Sequence, residues 1–464
     1  MATIHDPSLF SWQSIETASD LDRMRLVIAA LSTHDEQLML RLESLRGNGR
    51  DDYPVRPMWN SLLAGIVYQH PSAASLLREL RRNAELRELC GFDPLRGAAA
   101  VPPDSAFSNF LETVMAQSAL VDEMFHALVS ALGKALPDLG TYLAADSKAI
   151  QSFGRPVTDE EKKAGEPDRR RDVDADWGVK SYKGTRADGT AWEKTKHWFG
   201  YKLHLVVDSH YELPLAFKVT PASVGDSPEL LPLVDDLREH HGDVATRAKE
   251  LAADKGYDSA ENKAVLYDEH GIKPFIDHRQ MWKEEPGVPR PLFGDRVEAF
   301  LYDELGNIYC QSPSERSGAD KPHTMAFVGF EHDRNALKYR CPAAFYGYEC
   351  PGRAECECLA AHGVGKFGRT LRVPLDTDRR IFTPVARHTR DWEKAYDRRT
   401  SVERVNSRLD QVLGFEHHTI RGKAKMELRV TLALVVMLAM ALGRIQANQA
   451  DLMRSLTAPV RRAA

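Results

Sequence analysis

Three acidic residues, each delivered by a separate regular element, are the part of this chain best suited to chemistry. Leu251-Ala252-Ala253-Asp254 is a short apolar run that ends in a carboxylate, and Gly256 follows two positions later. That pattern predicts a buried strand placing Asp254 at a sheet edge before a tight turn. Leu143-Ala144-Ala145-Asp146 repeats the device upstream, and Glu403 lies downstream in the helix-forming stretch 393–413. Carboxylates converging from such distant positions would hold hard divalent cations, which take oxygen ligands and in pairs promote in-line displacement at phosphorus.

The elements around these acids follow from periodicity. On the helix over 393–413, Tyr396, Arg399 and Glu403 share one face, while Val402, Val405, Leu409 and Val412 form a separate apolar stripe. A plain surface ion pair is the alternative role for Arg399 and Glu403. Residues 136–277 read as the first part of an α/β core. Apolar runs at 199–207 and 213–219 form a hairpin whose turn contains Asp208, read as a turn former. Ser227 then caps a helix with Pro228 in its first turn, and a strand, a helix over 260–270 and a last strand over 272–276 follow. The charged stretch 155–196, with Arg169, Arg170, Arg171, Lys180, Lys183, Lys194 and Lys196, reads as a solvated loop or one that tracks phosphates.

Residues 1–135 read as a helical N-terminal domain, with Ser72 as one N-cap and Asp104 or Ser105 capping a helix over 106–132. Residues 278–392 interrupt the core as an inserted β-rich or irregular subdomain that also holds Cys310. Its Cys341, Cys350, Cys356 and Cys358 could form a structural zinc site; the spacing lacks paired C-x-x-C knuckles, and free buried thiols are the alternative. Residues 393–464 return to the core as C-terminal helices.

A chain of 464 residues suggests two or three domains, and 43% apolar with 28% charged residues is ordinary for a soluble protein. A formal net charge of −5 argues mildly against nucleic-acid binding through bulk charge and leaves local basic surfaces to decide. The start lacks a basic segment followed by an apolar core, so no signal peptide is expected. The longest apolar run, 430–443 between Arg429 and Arg444, is too short to span a bilayer and is expected to be a buried helix, with no membrane partner. Reduced cysteines and a cytoplasmic location are expected accordingly.

Ala145-Asp146-Ser147, the A-D-K-G-Y-D run at 253–258 and, most specifically, Tyr396-x-x-Arg399-x-x-x-Glu403 together resemble the DDE transposases of bacterial insertion sequences, members of the retroviral-integrase superfamily. The resemblance covers residues 140–277 and 393–445. It implies an RNase H-like mixed sheet flanked by helices, with Asp146, Asp254 and Glu403 as catalytic ligands of two magnesium ions, for which manganese can substitute. Arg399 would grip a phosphate as a planar fork. Tyr396 and Tyr257 would stack on a base or bond a phosphate, with core packing equally open for Tyr257. Lys255, Arg421, Lys423 and Lys425 would face DNA, and related helical segments make residues 1–135 a DNA-binding domain. The family often carries a lysine seven residues after its glutamate; this chain has Asp410 there, which leaves that phosphate-gripping role open. The implied partners are double-stranded DNA, as terminal inverted repeats and target, and a second subunit in a DNA-bound, nucleoid-associated homodimer. A metal-dependent nuclease without strand transfer and a non-catalytic transposase-derived repressor are the competing readings.

Overall fold

Apolar residues at three- and four-residue spacing fold the first part of the chain into seven α-helices: α1 (Leu21–Leu31), α2 (Glu36–Arg46), α3 (Val55–Val67), α4 (Ala73–Arg82), α5 (Ala84–Cys90), α6 (Asp104–Met115) and α7 (Ser118–Ala135). The computed structural model describes residues 20–46, 52–165, 172–186, 188–279, 288–293, 300–311, 323–350, 356 and 368–461, and structural statements refer to these. Ser72 caps α4, accepting from the Ser75 N–H at 3.2 Å. The single helix expected over 106–132 is instead two, α6 and α7, separated at Ala116-Gln117. Neither Asp104 nor Ser105 caps α6, because Pro103 occupies the cap position.

A six-stranded mixed sheet follows: β1 (Tyr142–Gln151), β2 (Asp176–Thr185), β3 (Ala191–Asp208), β4 (Leu213–Pro221), β5 (Glu250–Ala253) and β6 (Lys273–Ile276). Its path runs β2-β3-β1-β5-β6, with β4 also paired to β3. β1, β2 and β4 are antiparallel to β3, whereas β5 runs parallel to both β1 and β6. Helices α8 (Leu230–His240) and α9 (Ala260–Asp268) connect the later strands. Part of the stretch read as a loop is therefore a long hairpin, β2 with the first half of β3. It projects past the core with Trp177, Val179 and Trp192 exposed. With neither face covered, it carries no inside-outside alternation to betray a strand. Arg169, Arg170 and Arg171 lie outside the described residues.

Between β6 and the C-terminal helices the chain forms two small antiparallel sheets, one built on Phe300–Tyr302 and Ile308–Cys310, the other on Ala326–Glu331, Ala336–Arg340 and Thr370–Pro374. They share their own apolar cluster, including Leu292, Phe300, Ile308, Leu337, Tyr339 and Val373. A much larger cluster runs from Leu21 in α1 through the sheet to Leu456, and a small third one gathers Ala252, Phe275, Trp392 and Ala395. Helices α10 (Arg390–Tyr396), α11 (Thr400–Leu413) and α12 (Lys423–Gln446) complete the fold. α12 packs against α7, α1 and β4, joining the N-terminal helices to the sheet. At 24 residues it is longer than its apolar run suggested and is long and apolar enough to cross a membrane, yet 94% of its most apolar window is buried in the fold.

The sheet permits no side chain at one point beside β1. Gly200 in β3 lies opposite Gln151, and a Cβ there would meet the Ile150 carbonyl oxygen at 2.1 Å and the Ser152 nitrogen at 2.6 Å. Both obstacles are backbone, so the strands must separate. Gly200→Ala is expected to destabilise the protein by roughly 3 kcal/mol, the upper range for overpacking. An unchanged midpoint of chemical unfolding would contradict this.

Candidate active site

The site begins with strand register. Parallel pairing of β1 and β5 sets Ala145 opposite Ala253, so Asp146 and Asp254 are the next residues on neighbouring strands. Asp254 ends its strand by accepting from the Gly256 N–H at 2.6 Å, which fixes the turn that follows. Gly256 is required by close approach: a Cβ there would lie 2.7 Å from Asp254 Oδ1 and 3.1 Å from Asp226 Oδ2. Asp226, in the loop after β4, is thus a further carboxylate beside Asp254. Sequence reasoning passed over it because Gly225-Asp226-Ser227-Pro228 reads as a helix start. Lys202 Nζ holds Asp226 at 2.9 Å. Ser227 in turn accepts from Asn262 Nδ2 at 3.1 Å and caps no helix.

Burial and the neighbouring carboxylates both show in the protonation of Asp146. Desolvation first, then Asp254 and more weakly Asp226, push the Asp146 carboxyl up to about 7, against the Ser147 N–H and Lys180, which favour its charge. Lys180 comes from the projecting β2–β3 hairpin, and its part in the site was hidden by its charged surroundings in sequence. Tyr257 is fully buried. Burial, then Asp146, Asp226 and Asp254, hold its hydroxyl well above the usual phenol range. It cannot offer its ring to DNA, so the contact role expected as one option is corrected to packing beneath the acids. Asp208 is the last residue of β3 and anchors the turn into β4, accepting from the Gly140, His210 and Tyr211 N–H groups at 2.6–2.9 Å.

Glu403 occupies the exposed face of α11 and pairs with Arg399. The turn Asp397–Arg399 lies against β1 and β5, and Arg398 pairs with Glu250 while stacking 4.0 Å from the Tyr142 ring centre. Burial works against the Arg399 charge, but Glu403 and, more weakly, Tyr396 and Asp146 raise its pKa overall. Tyr396 stacks on Trp392 with centroids 4.9 Å apart, and its hydroxyl is raised by burial and then by Asp277, with Asp254 adding to the effect. Val402, Val405, Leu409 and Leu413 are the buried stripe of α11; Leu413 replaces the expected Val412, one position short of the Gly414 that ends the helix. Asp410 pairs with the buried Lys148 of β1 at 2.5 Å, which ties α11 to the strand bearing Asp146.

The structure therefore brings Asp146, Asp254 and Asp226 together and sets Glu403 nearby through Arg399. The three acids singled out in sequence do not form a tight ligand cluster; among the described residues, only His126, Asp236 and His240 present ligand atoms all within 4.8 Å. Lys255 and Lys425 are exposed, Lys423 pairs with Glu427 at 3.3 Å, and Arg421 stacks over Phe153. Asp258, the last residue of the 253–258 motif, is structural: burial opposes its charge, yet Lys263 and Arg380 hold it below the ordinary carboxylate value. None of the described cysteines is in a disulfide. Burial raises the Tyr348 hydroxyl, and the thiols of Cys350, Cys341 and Cys310 raise it further. Cys358 lies outside the described residues.

A family model described as Transposase DDE domain matches residues 165–439, and one described as Transposase domain matches residues 13–113. The chain belongs to the transposase family defined by the DDE domain. It is 39% identical over 84 residues to a protein assigned as the transposase for insertion sequence element IS402 of Burkholderia cepacia; the match spans 18% of this chain and 39% of that relative. A cryo-EM structure of the piggyBac transposase synaptic complex with hairpin DNA aligns over 95% of this chain and 79% of that chain, at 11% identity and a TM-score of 0.38, too slight a likeness to argue from.

The Asp146 carboxyl links site to stability. Its folded value near 7 lies above the ordinary 3.8, so its contribution is fully present below 3.8 and is lost as pH rises through about 7. In metal-free protein, Asp146→Asn is expected to raise Tm by a few degrees at pH 8 and to give no gain near pH 3. Thermal scans at the two pH values check this, and equal shifts at both would contradict it.

Proposed function

We propose that this transposase cuts DNA at the ends of its insertion sequence and transfers the freed 3′-hydroxyl ends into target DNA. The observation that carries the reading is the placement of Asp146 in β1 beside Asp254, which directly follows the parallel strand β5, with the Asp146 carboxyl raised by burial and then by Asp254. A strand order of β4-β3-β1-β5-β6, with three antiparallel strands followed by two parallel ones, supports an RNase H-like core. Crowded carboxylates that resist ionising together suit divalent cations, which would relieve the repulsion. Asp146, Asp254 and Glu403 would hold two magnesium ions, or manganese in their place. When bound, such ions make an oxygen nucleophile available at ordinary pH and stabilise the leaving oxygen.

The chain's own groups do the positioning. Arg399 is engaged by Glu403, and a phosphodiester competing for the guanidinium would free that carboxylate toward the other acids. Lys180 on the projecting hairpin, together with Lys255, Arg421, Lys423 and Lys425, would follow the backbone of duplex DNA. Tyr396 would border the scissile phosphate, and no side chain need form a covalent link to DNA. Residues 1–135 would contribute further DNA contact, 136–277 and 393–464 the catalytic core, and 278–392 an insertion stiffened by zinc at Cys341, Cys350, Cys356 and Cys358. Two subunits would bring the element ends together.

Asp254→Asn is expected to reduce magnesium-dependent cleavage of the terminal repeats to the level of protein-free DNA while leaving repeat binding within about twofold, since it removes a ligand and no DNA contact. Full cleavage by this variant would refute the site. A joining assay with precut ends separates strand transfer from simple nuclease action. Zinc below about half an equivalent per chain after dialysis would remove the structural zinc.

A further inference from the structure

A second constellation of ligand-type side chains lies away from the acids, where α7 meets α8. His126 projects from α7; Asp236 and His240 are four residues apart on α8 and so share one face of that helix. The candidate donor atoms of these three residues all lie within 4.8 Å of one another. The His126 and His240 rings are stacked, with centroids 4.0 Å apart and planes 8° apart, and His240 Nδ1 is 3.1 Å from Asp236 Oδ1, so the exposed His240 ring must turn out of the stack for both imidazole lone pairs to converge on one ion. Behind them, the buried His241 sets Nε2 3.0 Å from His126 Nδ1 and Nδ1 3.2 Å from Ser130 Oγ.

We infer that His126, Asp236 and His240 form a binding site for one transition-metal ion of the zinc class, clamping the N-terminal helices to the sheet domain. Two imidazoles and a carboxylate are a donor set for zinc, cobalt or nickel, whereas magnesium favours oxygen alone. The contact with His241 engages His126 Nδ1 and leaves Nε2 as the ligating atom, the supporting arrangement usual for metal-bound histidines. A cleft of about 300 Å³ borders His126 and Asp236 and is also lined by Asp122 and Glu427, giving a cation an anionic approach. Three protein donors leave a position for water. The site joins α7 to α8, which packs on β4 and β3, so the ion would bind the folded pair and not the separated helices.

The test is Co²⁺ titration of the chelator-stripped full chain, followed by visible absorption, with Zn²⁺ competition for affinity. The expected result is a component of nitrogen- and oxygen-type absorption without sulfur-to-metal charge transfer, read as the difference between the wild type and His240→Ala so that any Co²⁺ on the cysteines cancels. That signal should weaken at least about 100-fold in affinity in His126→Ala and His240→Ala, about 10–100-fold in His241→Phe, and remain unchanged in Asp254→Asn. His240 is exposed, so its variant keeps the fold and decides the matter even if His126→Ala does not fold. Equal Co²⁺ affinity and spectra in the wild type and a folded His240→Ala variant would overturn the site.

Discussion

The parallel pairing of β1 with β5 is the constraint on which the rest depends. One register, Ala145 opposite Ala253, decides that Asp146 and Asp254 emerge side by side. A slip of one residue would send one of the two to the opposite face of the sheet. The flanking alanines let the strands sit in a crowded core, and Gly256 lets Asp254 and Asp226 close over the turn without a methyl group between them. Electrostatic strain is the result of that closeness. It adds to burial, the larger cause, in raising the Asp146 carboxyl, and the fold sustains it with backbone N–H donors and the ammonium groups of Lys180 and Lys202.

Helix α11 is held to this sheet by three kinds of contact. Its buried stripe supplies the apolar packing. Lys148 to Asp410 fixes the helix to the strand of Asp146, and Arg398 to Glu250 fixes the preceding turn to the strand of Asp254. Arg404 and Arg408 converge on the largely buried Glu212 at the β3–β4 turn. Pairs of this sort contribute modestly to stability unless buried, but they set the rotation of the helix, and with it the direction in which Arg399 and Glu403 face. Asp410 therefore belongs to the scaffold, where a lysine would have repelled Lys148.

Much of this was legible because it is local. The strand that ends before Asp254, the cap at Ser72 and the neighbourhood of Arg399 with Tyr396 and Glu403 follow from short-range periodicity and turn chemistry. Asp146, expected to close its strand, instead lies inside β1, which runs on to Gln151, and the single helix expected over 393–413 is two, parted by the turn Asp397–Arg399, so Tyr396 and Glu403 stand on different helices. What escaped was set by tertiary contact. Asp226 looks like any loop acid until the β4–α8 loop folds against Gly256. The β2–β3 hairpin hides its strands because neither face is covered. Tyr257 gives no sign in sequence of being sealed beneath three carboxylates. The His126, Asp236 and His240 constellation joins residues more than a hundred positions apart, a separation at which spacing carries no information.

The most direct measurement is anomalous diffraction from crystals soaked in Mn²⁺. A peak bounded by the carboxylates of Asp146 and Asp254 is the expected result, since the register of β1 and β5 builds that pair. Well-ordered carboxylates with no peak between them, at a Mn²⁺ concentration that supports cleavage in solution, would contradict the claim that the two acids form one metal-dependent centre.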